Sequence, residues 1–297
     1  MMSEPSLSVP PTSPSERNLI QQVIRALRQA PATALVGLLI VGVYVVAAVF
    51  APWIAPYGEY EVVSDIPFAP WSEANLLGTD QLGRDFLTRI VYGARNSIGI
   101  AFVTTLLAFA IGGFFGIMAA ALRGWVDQVF SRFVDAVMSI PDLIFTLLLL
   151  AIFGSSVLNL ILIIAILDST RIFRISRASA MNVVTLDYVE ASTARGEGLY
   201  WRIVHEILPN ILPILISEFG MRFCFVFLVI AALSFLGVGL QPPMAEWGSM
   251  VRDNAVLINS GDITPLIPAS AIALLTVGVN FVADWLLSKS SGLSNED

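Results

Sequence analysis

Of the 297 residues, 56% are hydrophobic and 13% charged, roughly half the charged share of a soluble domain, and with a mean hydropathy of +0.79 most of the surface must face lipid. One cysteine, Cys224, and one histidine, His205, exclude a disulfide framework, an iron–sulfur cluster and a Cys-based zinc site and argue against a His-ligated metal, since all need several such ligands. The net charge of −7 argues against nucleic acid as partner, because that binding rests on Lys and Arg neutralising phosphates, and a polytopic membrane protein with few polar groups remains.

The first 30 residues open on a Pro/Ser-rich stretch, Ser3 to Ser15, too polar to pack. Residues 18–29 then set Leu19, Ile20, Val23, Ala26 and Leu27 on one helical side, with Arg25 and Arg28 available to headgroups. That pattern predicts a short interfacial helix in a cytoplasmic N-terminal tail, residues 1–30. The apolar run from Pro31 to Phe50 exceeds the about 7–15 residues of a signal-peptide core and reads as a first span.

Residues 29–58, 96–122, 143–167, 223–245 and 263–283 carry no Asp, Glu, Lys or Arg. Each is long enough to cross a hydrocarbon core of about 30 Å at about 1.5 Å per residue. The third gap is interrupted by Gly154-Ser155-Ser156 and divides into two spans, Val134 to Phe153 and Val157 to Phe173. With two helices there, the cytoplasmic side receives Arg17, Arg25, Arg28, Arg123, Arg132, Arg171, Arg174, Arg177, Arg195, Arg202 and Lys289, eleven in all, against Arg84, Arg89, Arg95 and Arg252 outside. With one helix the count becomes six inside and nine outside. Cations gather on cytoplasmic loops, so the expected fold is an all-α membrane protein with six transmembrane helices over residues 31–288, both termini cytoplasmic, and a C-terminal tail of residues 289–297.

Asp135 and Asp142 fall in the third of these spans, and Glu218 and Arg222 in the fifth at i, i+4 spacing on one helix face. Ionisable groups at membrane depth face the bundle interior or a wet cavity. These four are the candidates for translocation-path or intramembrane polar groups. Asp135 is expected at the cytoplasmic mouth, and mutual neutralisation is the structural alternative for Glu218 and Arg222.

Two outer connections, residues 57–94 and 237–263, are too long to be turns and read as external caps. Gly78 to Gly83 has the spacing of a phosphate loop, but Arg84-Asp85 follows in place of Lys-Ser/Thr, which rejects it. Ser234 and Ser270 lack the Gly-x-Ser-x-Gly elbow of a nucleophile. No catalytic residue and no metal site is therefore assigned. The cytoplasmic connection, residues 174–208, mixes both charges with helix formers. Asp187 to Arg195 predicts a short helix stopped by Gly196, and a second helical stretch, Tyr200 to Ile207, leads into Leu208-Pro209 and Pro213 at the start of the fifth span. A charged helix held between two spans is shaped to dock on something.

In that connection Glu190-Ala191-Ser192, Gly196 and Leu208-Pro209 keep the spacing E-A-A-x3-G-x9-I-x-L-P, with Ser192 at the third position and Glu206 at the Ile position. The pattern resembles the EAA loop of ABC importer permeases. Leu77 to Asp85 with Tyr92 to Arg95, Asp135 to Pro141, and Leu233 to Gly237 with Gln241-Pro242-Pro243 and Trp247-Gly248 are similar, in the same order, to the second permease subunit of dipeptide, oligopeptide and nickel importers. The resemblance implies a type I ABC importer permease of the bacterial cytoplasmic (inner) membrane, carrying peptides, with no ATPase site or cofactor of its own. Its implied partners, besides the lipid bilayer, are a second homologous permease subunit, two cytoplasmic ATPases that hold ATP and magnesium, and an extracytoplasmic substrate-binding protein. Asp187, Tyr188, Glu190, Ala191, Ser192, Arg195, Gly196, Leu208 and Pro209 are the implied ATPase-coupling positions. A stand-alone secondary carrier or channel, and an intramembrane hydrolase, are the rival readings. No internal repeat supports the first, and no positioned nucleophile the second.

Overall fold

The computed structural model describes residues 30–290. The predicted interfacial helix at 18–29, and the tail beyond residue 290, lie outside the described residues. Within them the chain is helical; the only extended pairings are two isolated bridges, Val62 with Arg84 and Thr79 with Asp85.

Ala32–Val49 (α1) is apolar on every side and largely exposed, as a lipid-facing span must be. Phe86–Leu122 (α2) begins ten residues before the charge-free stretch at 96–122 that marked it in the sequence. Asp85 is its N-cap, with a carboxylate that accepts from the Thr88 backbone N–H at 2.8 Å. Residues 86–94 are thus the first turns of this long helix and not loop.

The expected third helix, Val134 to Phe153, is two helices. Gly124–Met138 (α3) and Asp142–Phe153 (α4) meet at a bend of 87° around Ser139-Ile140-Pro141. Proline clashes with a helical residue before it, so Ile140 cannot continue α3, and Pro141 restarts the chain as the N-cap of α4. The α3 helix is amphipathic, with Val134 buried against the body while Trp125, Val129 and Phe133 lie exposed on another side. Val157–Val184 (α5) runs past Phe173, where the fourth span was expected to end, so the first turns of the 174–208 connection are helix.

Asp187–Ala194 (α6) is the short helix expected after the fourth span. Beyond it, Leu199–Trp201, a π turn at Arg202–Ile207 and Leu208–Phe235 (α7) form one helical run. Pro209 has no N–H to give a carbonyl one turn back. The chain answers with a wide turn in which the Leu208 N–H bonds to the Ile203 carbonyl, an i to i−5 bond. Pro213 sits inside α7 and not in its first turn. Trp247–Asn254 (α8) lies in the connection after α7, and Leu266–Ser290 (α9) closes the bundle.

Four helical runs, α1, α2, Leu199–Phe235 and α9, are long and apolar enough to cross a membrane, and α3 with α4 makes a bent fifth. The α5 helix carries Asp168, Arg171, Arg174 and Arg177 and packs along α2 through small residues. A Cβ on Gly116 would stand 2.6 Å from the Phe173 carbonyl oxygen, and one on Gly112 would stand 2.8 Å from Ile172 Cβ. This Gly-x-x-x-Gly pair lets the two backbones touch, the usual means of joining helices where lipid removes the hydrophobic drive. Gly37 and Gly278 do the same for α1 and α9. The largest core sits under the outer connections, where Trp247 is fully buried between Tyr44 and Phe227, ring centroids 5.4 and 6.2 Å away.

Candidate functional site

Three sets of polar residues stand out against the apolar bundle. The first is on α6. Val189 and Ser192 are buried and turn toward the body, where Val189 joins Ile117, Ala120, Ala180, Val183, Ile207 and Ile211 from α2, α5 and the run leading into α7. Asp187, Tyr188, Glu190, Ala191 and Arg195 are exposed. The helix thus has an inner face that seals it to both long helices and an outer face that is free. Ser192 is the one position among its nominated residues that belongs to the inner face; its hydroxyl donates to the Val189 carbonyl at 2.7 Å.

Arg195 caps α6, and Gly196 turns the chain with φ of +82°. The Gly196 N–H bonds to the Thr193 carbonyl at 3.0 Å, and the Glu197 N–H to the Ser192 carbonyl at 3.1 Å, so the last carbonyls are satisfied. Tyr188 is tied down by Asn210, whose amide donates to the phenol oxygen at 2.9 Å and to the Glu206 carbonyl at 2.6 Å. Leu208 packs on the same apolar cluster, while Pro209 is exposed. Between α6 and the body lies a groove of about 430 Å³, lined among others by Arg123, Glu190, Thr193 and Arg202.

The second set lies within the bundle. Glu218 and Arg222 pair as expected, Nε to Oε1 at 2.9 Å. Asp142 pairs with Arg171, a residue the sequence reading assigned to the cytoplasmic side and nothing more. Between the two pairs sits Asp168, also missed, with a side chain only 3% exposed. Its Oδ1 lies 3.7 Å from Arg222 Nη1 and 3.9 Å from Arg171 Nη1, and neither oxygen has a hydrogen-bond partner. Both guanidinium groups lie over the Phe225 ring, 4.5 and 5.4 Å from its centroid. The cluster thus joins α4, α5 and α7. Asp135 is not part of it: it is exposed on α3, beyond the bend. The clue to the missed pair was in the sequence, since Asp168 and Arg171 are i, i+3 neighbours inside the stretch assigned to the fourth span.

The third set locks the connection before α2 to the connection after α7. Arg89 donates to the Pro243 and Met244 carbonyls at 2.9 and 3.2 Å, and Asp80 bridges Arg84 at 2.7 Å and Arg89 at 3.5 Å. Glu59 accepts from Asn96 Nδ2 at 2.9 Å and the Ala245 N–H at 2.8 Å. Trp247 Nε1 donates to the Ile90 carbonyl at 3.0 Å. Glu246 caps α8 through the Gly248 and Ser249 N–H groups at 2.9 and 2.8 Å; burial pushes its carboxyl up, against these bonds, which pull it down. Among the described residues no group of three His, Cys, Asp or Glu side chains is placed to hold a metal ion.

The sequence pattern of the family described as "Binding-protein-dependent transport system inner membrane component" matches residues 112–289, and that of the "N-terminal TM domain of oligopeptide transport permease C" matches residues 18–71. The chain is 38% identical over 259 residues to the dipeptide transport system permease protein of Escherichia coli K12, covering 85% of this chain and 86% of the relative. It is 32% identical over 286 residues to the probable D,D-dipeptide transport system permease protein of the same strain, covering 96% and 95%. To the glutathione transport system permease protein of Pectobacterium atrosepticum it is 31% identical over 265 residues, covering 88% and 87%.

Proposed function

The chain belongs to the family of binding-protein-dependent transport system inner membrane components, the type I permeases of ABC importers, and we propose that it forms half of the pathway of a peptide importer in a bacterial inner membrane. In this reading it crosses the membrane six times, with α5 as the fourth span and both termini cytoplasmic. A second, homologous permease subunit supplies the other half. Two cytoplasmic ATPases, holding ATP and magnesium, seat on the two α6-type helices, and an extracytoplasmic binding protein delivers substrate to the outer connections. Peptide is the favoured cargo because the relatives named for a substrate carry dipeptides, D,D-dipeptides or glutathione, itself a tripeptide. Family membership favours this over a stand-alone carrier, a channel or a hydrolase.

The observation that carries the coupling role is the two-faced burial of α6. Val189 binds it to the ends of α2, α5 and α7 and Ser192 is buried beside it, while Asp187, Tyr188, Glu190, Ala191 and Arg195 stay exposed. A push on the free face therefore moves α5 and α7 together. Closure of the ATPases on ATP biases a two-state bundle in this way, and opening is reset when ATP is hydrolysed. Ala191 allows a close approach on the free face, and Glu190 offers a charge at its first turn. The test is co-expression of this chain with the permease, ATPase and binding-protein partners. Ala191→Trp should cut co-purification of the ATPases at least tenfold with membrane insertion unchanged. Normal co-purification, or peptide uptake that needs neither ATP nor the binding protein, would overturn the reading.

A further inference from the structure

The charge cluster on α4, α5 and α7 is more than a neutralised knot. It holds three carboxylates, Asp142, Asp168 and Glu218, against two guanidiniums, Arg171 and Arg222, so one negative charge is left over. Its positive side is also incompletely used. Arg171 Nη1 and Arg222 Nη1 reach only the Asp168 oxygen, at 3.9 and 3.7 Å, beyond hydrogen-bond distance.

The cluster lies deep in the bundle. Arg222 is thirteen residues before the end of α7 at Phe235, and Asp168 eleven residues after the start of α5 at Val157. At about 1.5 Å per residue these are depths of about 20 and 16 Å from the outer helix ends. Yet the Arg171 and Asp142 side chains are each 30% exposed, and Phe225 between the guanidiniums is 36% exposed. Charges at such depth do not face hydrocarbon; they line wet cavities or meet protein. An open edge is left that presents a cation with spare donors, an anion in net excess and an aromatic face.

We propose that this edge, Asp142, Arg171 and the face of Phe225, contacts the charged ends of a zwitterionic peptide in transit. The peptide carboxylate takes Arg171 Nη1, whose nearest acceptor in this chain is the Asp168 oxygen at 3.9 Å, its ammonium meets the Asp142 oxygen that does not face Arg171, and the chain between lies on Phe225. Asp168, buried behind, is a positioning residue that holds both guanidiniums in place. The inference rests on the peptide-importer reading.

The test uses the full importer in proteoliposomes, with its binding protein and a defined mixture of dipeptides and tripeptides, uptake being read by mass spectrometry. Arg171→Gln and Asp142→Asn should each lower uptake at least tenfold. The double variant Arg171→Met with Asp142→Leu decides, because replacing both partners of a purely structural pair by apolar groups of similar volume is close to neutral. A transit site stays at least tenfold impaired in the double variant; recovery to within twofold of the unchanged chain overturns the proposal, as does normal uptake by either single variant. Where a charge variant fails to co-purify with its partners, Phe225→Ala leaves every charge in place and should still lower uptake at least fivefold, and normal uptake there refutes the site. Failure of the unchanged importer to take up any peptide would sink the peptide reading itself, which separates the two.

Discussion

Replacing Gly196 isolates what the turn after α6 contributes. Its φ is +82°, and a Cβ added there meets nothing within 4 Å, so substitution brings backbone strain with no steric clash inside this chain. A left-handed conformation costs an ordinary L-residue about 1–2 kcal/mol, and Asn less; for a β-branched residue it is an outlier. Strain of this size shifts the population of the native turn by a factor of about 5–30. The turn supplies the bonds from Gly196 N–H to Thr193 and from Glu197 N–H to Ser192, so its loss frays the end of α6 that carries Arg195. Peptide uptake by the reconstituted importer should therefore fall in the order Gly, Asn, Ala, Val, with Asn nearest the unchanged chain and Val lowest, while protein yield in the membrane stays level. Equal uptake for Asn and Val would refute the strain argument and point to a clash with a partner in its place.

At the α2–α5 contact, Gly116→Leu must force the backbones apart, since even a Cβ would meet the Phe173 carbonyl at 2.6 Å; a loss of about 1–3 kcal/mol is expected, seen as a lower midpoint when the detergent-solubilised chain is heated, and an unchanged midpoint would contradict the packing. Trp247→Ala empties the fully buried site between Tyr44 and Phe227 and should cost about 3–5 kcal/mol, with faster hydrogen exchange in both α8 and the outer turns of α2. Glu246 has its carboxyl pushed up by burial, so the unfolded chain releases its proton first and the local fold loses stability as pH rises from about 4 through the raised value. In Glu246→Gln, hydrogen exchange of the α8 amides should lose that pH dependence.

Much of the fold was legible because lipid imposes simple rules on composition. The charge-free stretches located α1, α2, α7 and α9, and Gly154 separated α4 from α5. Turn chemistry was equally readable at Asp187 to Gly196, where a helix former run meets a glycine. Charge counting failed where charges are inside. Asp168 was taken as the boundary of a gap and Arg171 as a loop cation, although both fall within α5 and complete the cluster with Asp142, Glu218 and Arg222. Pro141 was a visible break, yet hydropathy averaged across it and joined two helices that meet at 87°. Pairings between distant segments left no local trace. Nothing near Arg89 says that its acceptors are the carbonyls of Pro243 and Met244, and nothing near Gly112 names Ile172 as the residue it must admit.

That outer lock sets a schedule for making the protein. Arg89 lies 154 residues ahead of the Pro243 carbonyl that receives it. A ribosome adding about 5–20 residues per second needs about 8–30 s to cover that distance. Through this interval the N-terminal end of α2 has been made with Arg89 lacking its acceptors and with Gly93, where a Cβ would stand 2.7 Å from the Trp247 ring, not yet packed on it. The permease therefore cannot close this end of the bundle until the connection after α7 arrives, and any factor that attends its insertion has a window of seconds in which to act there.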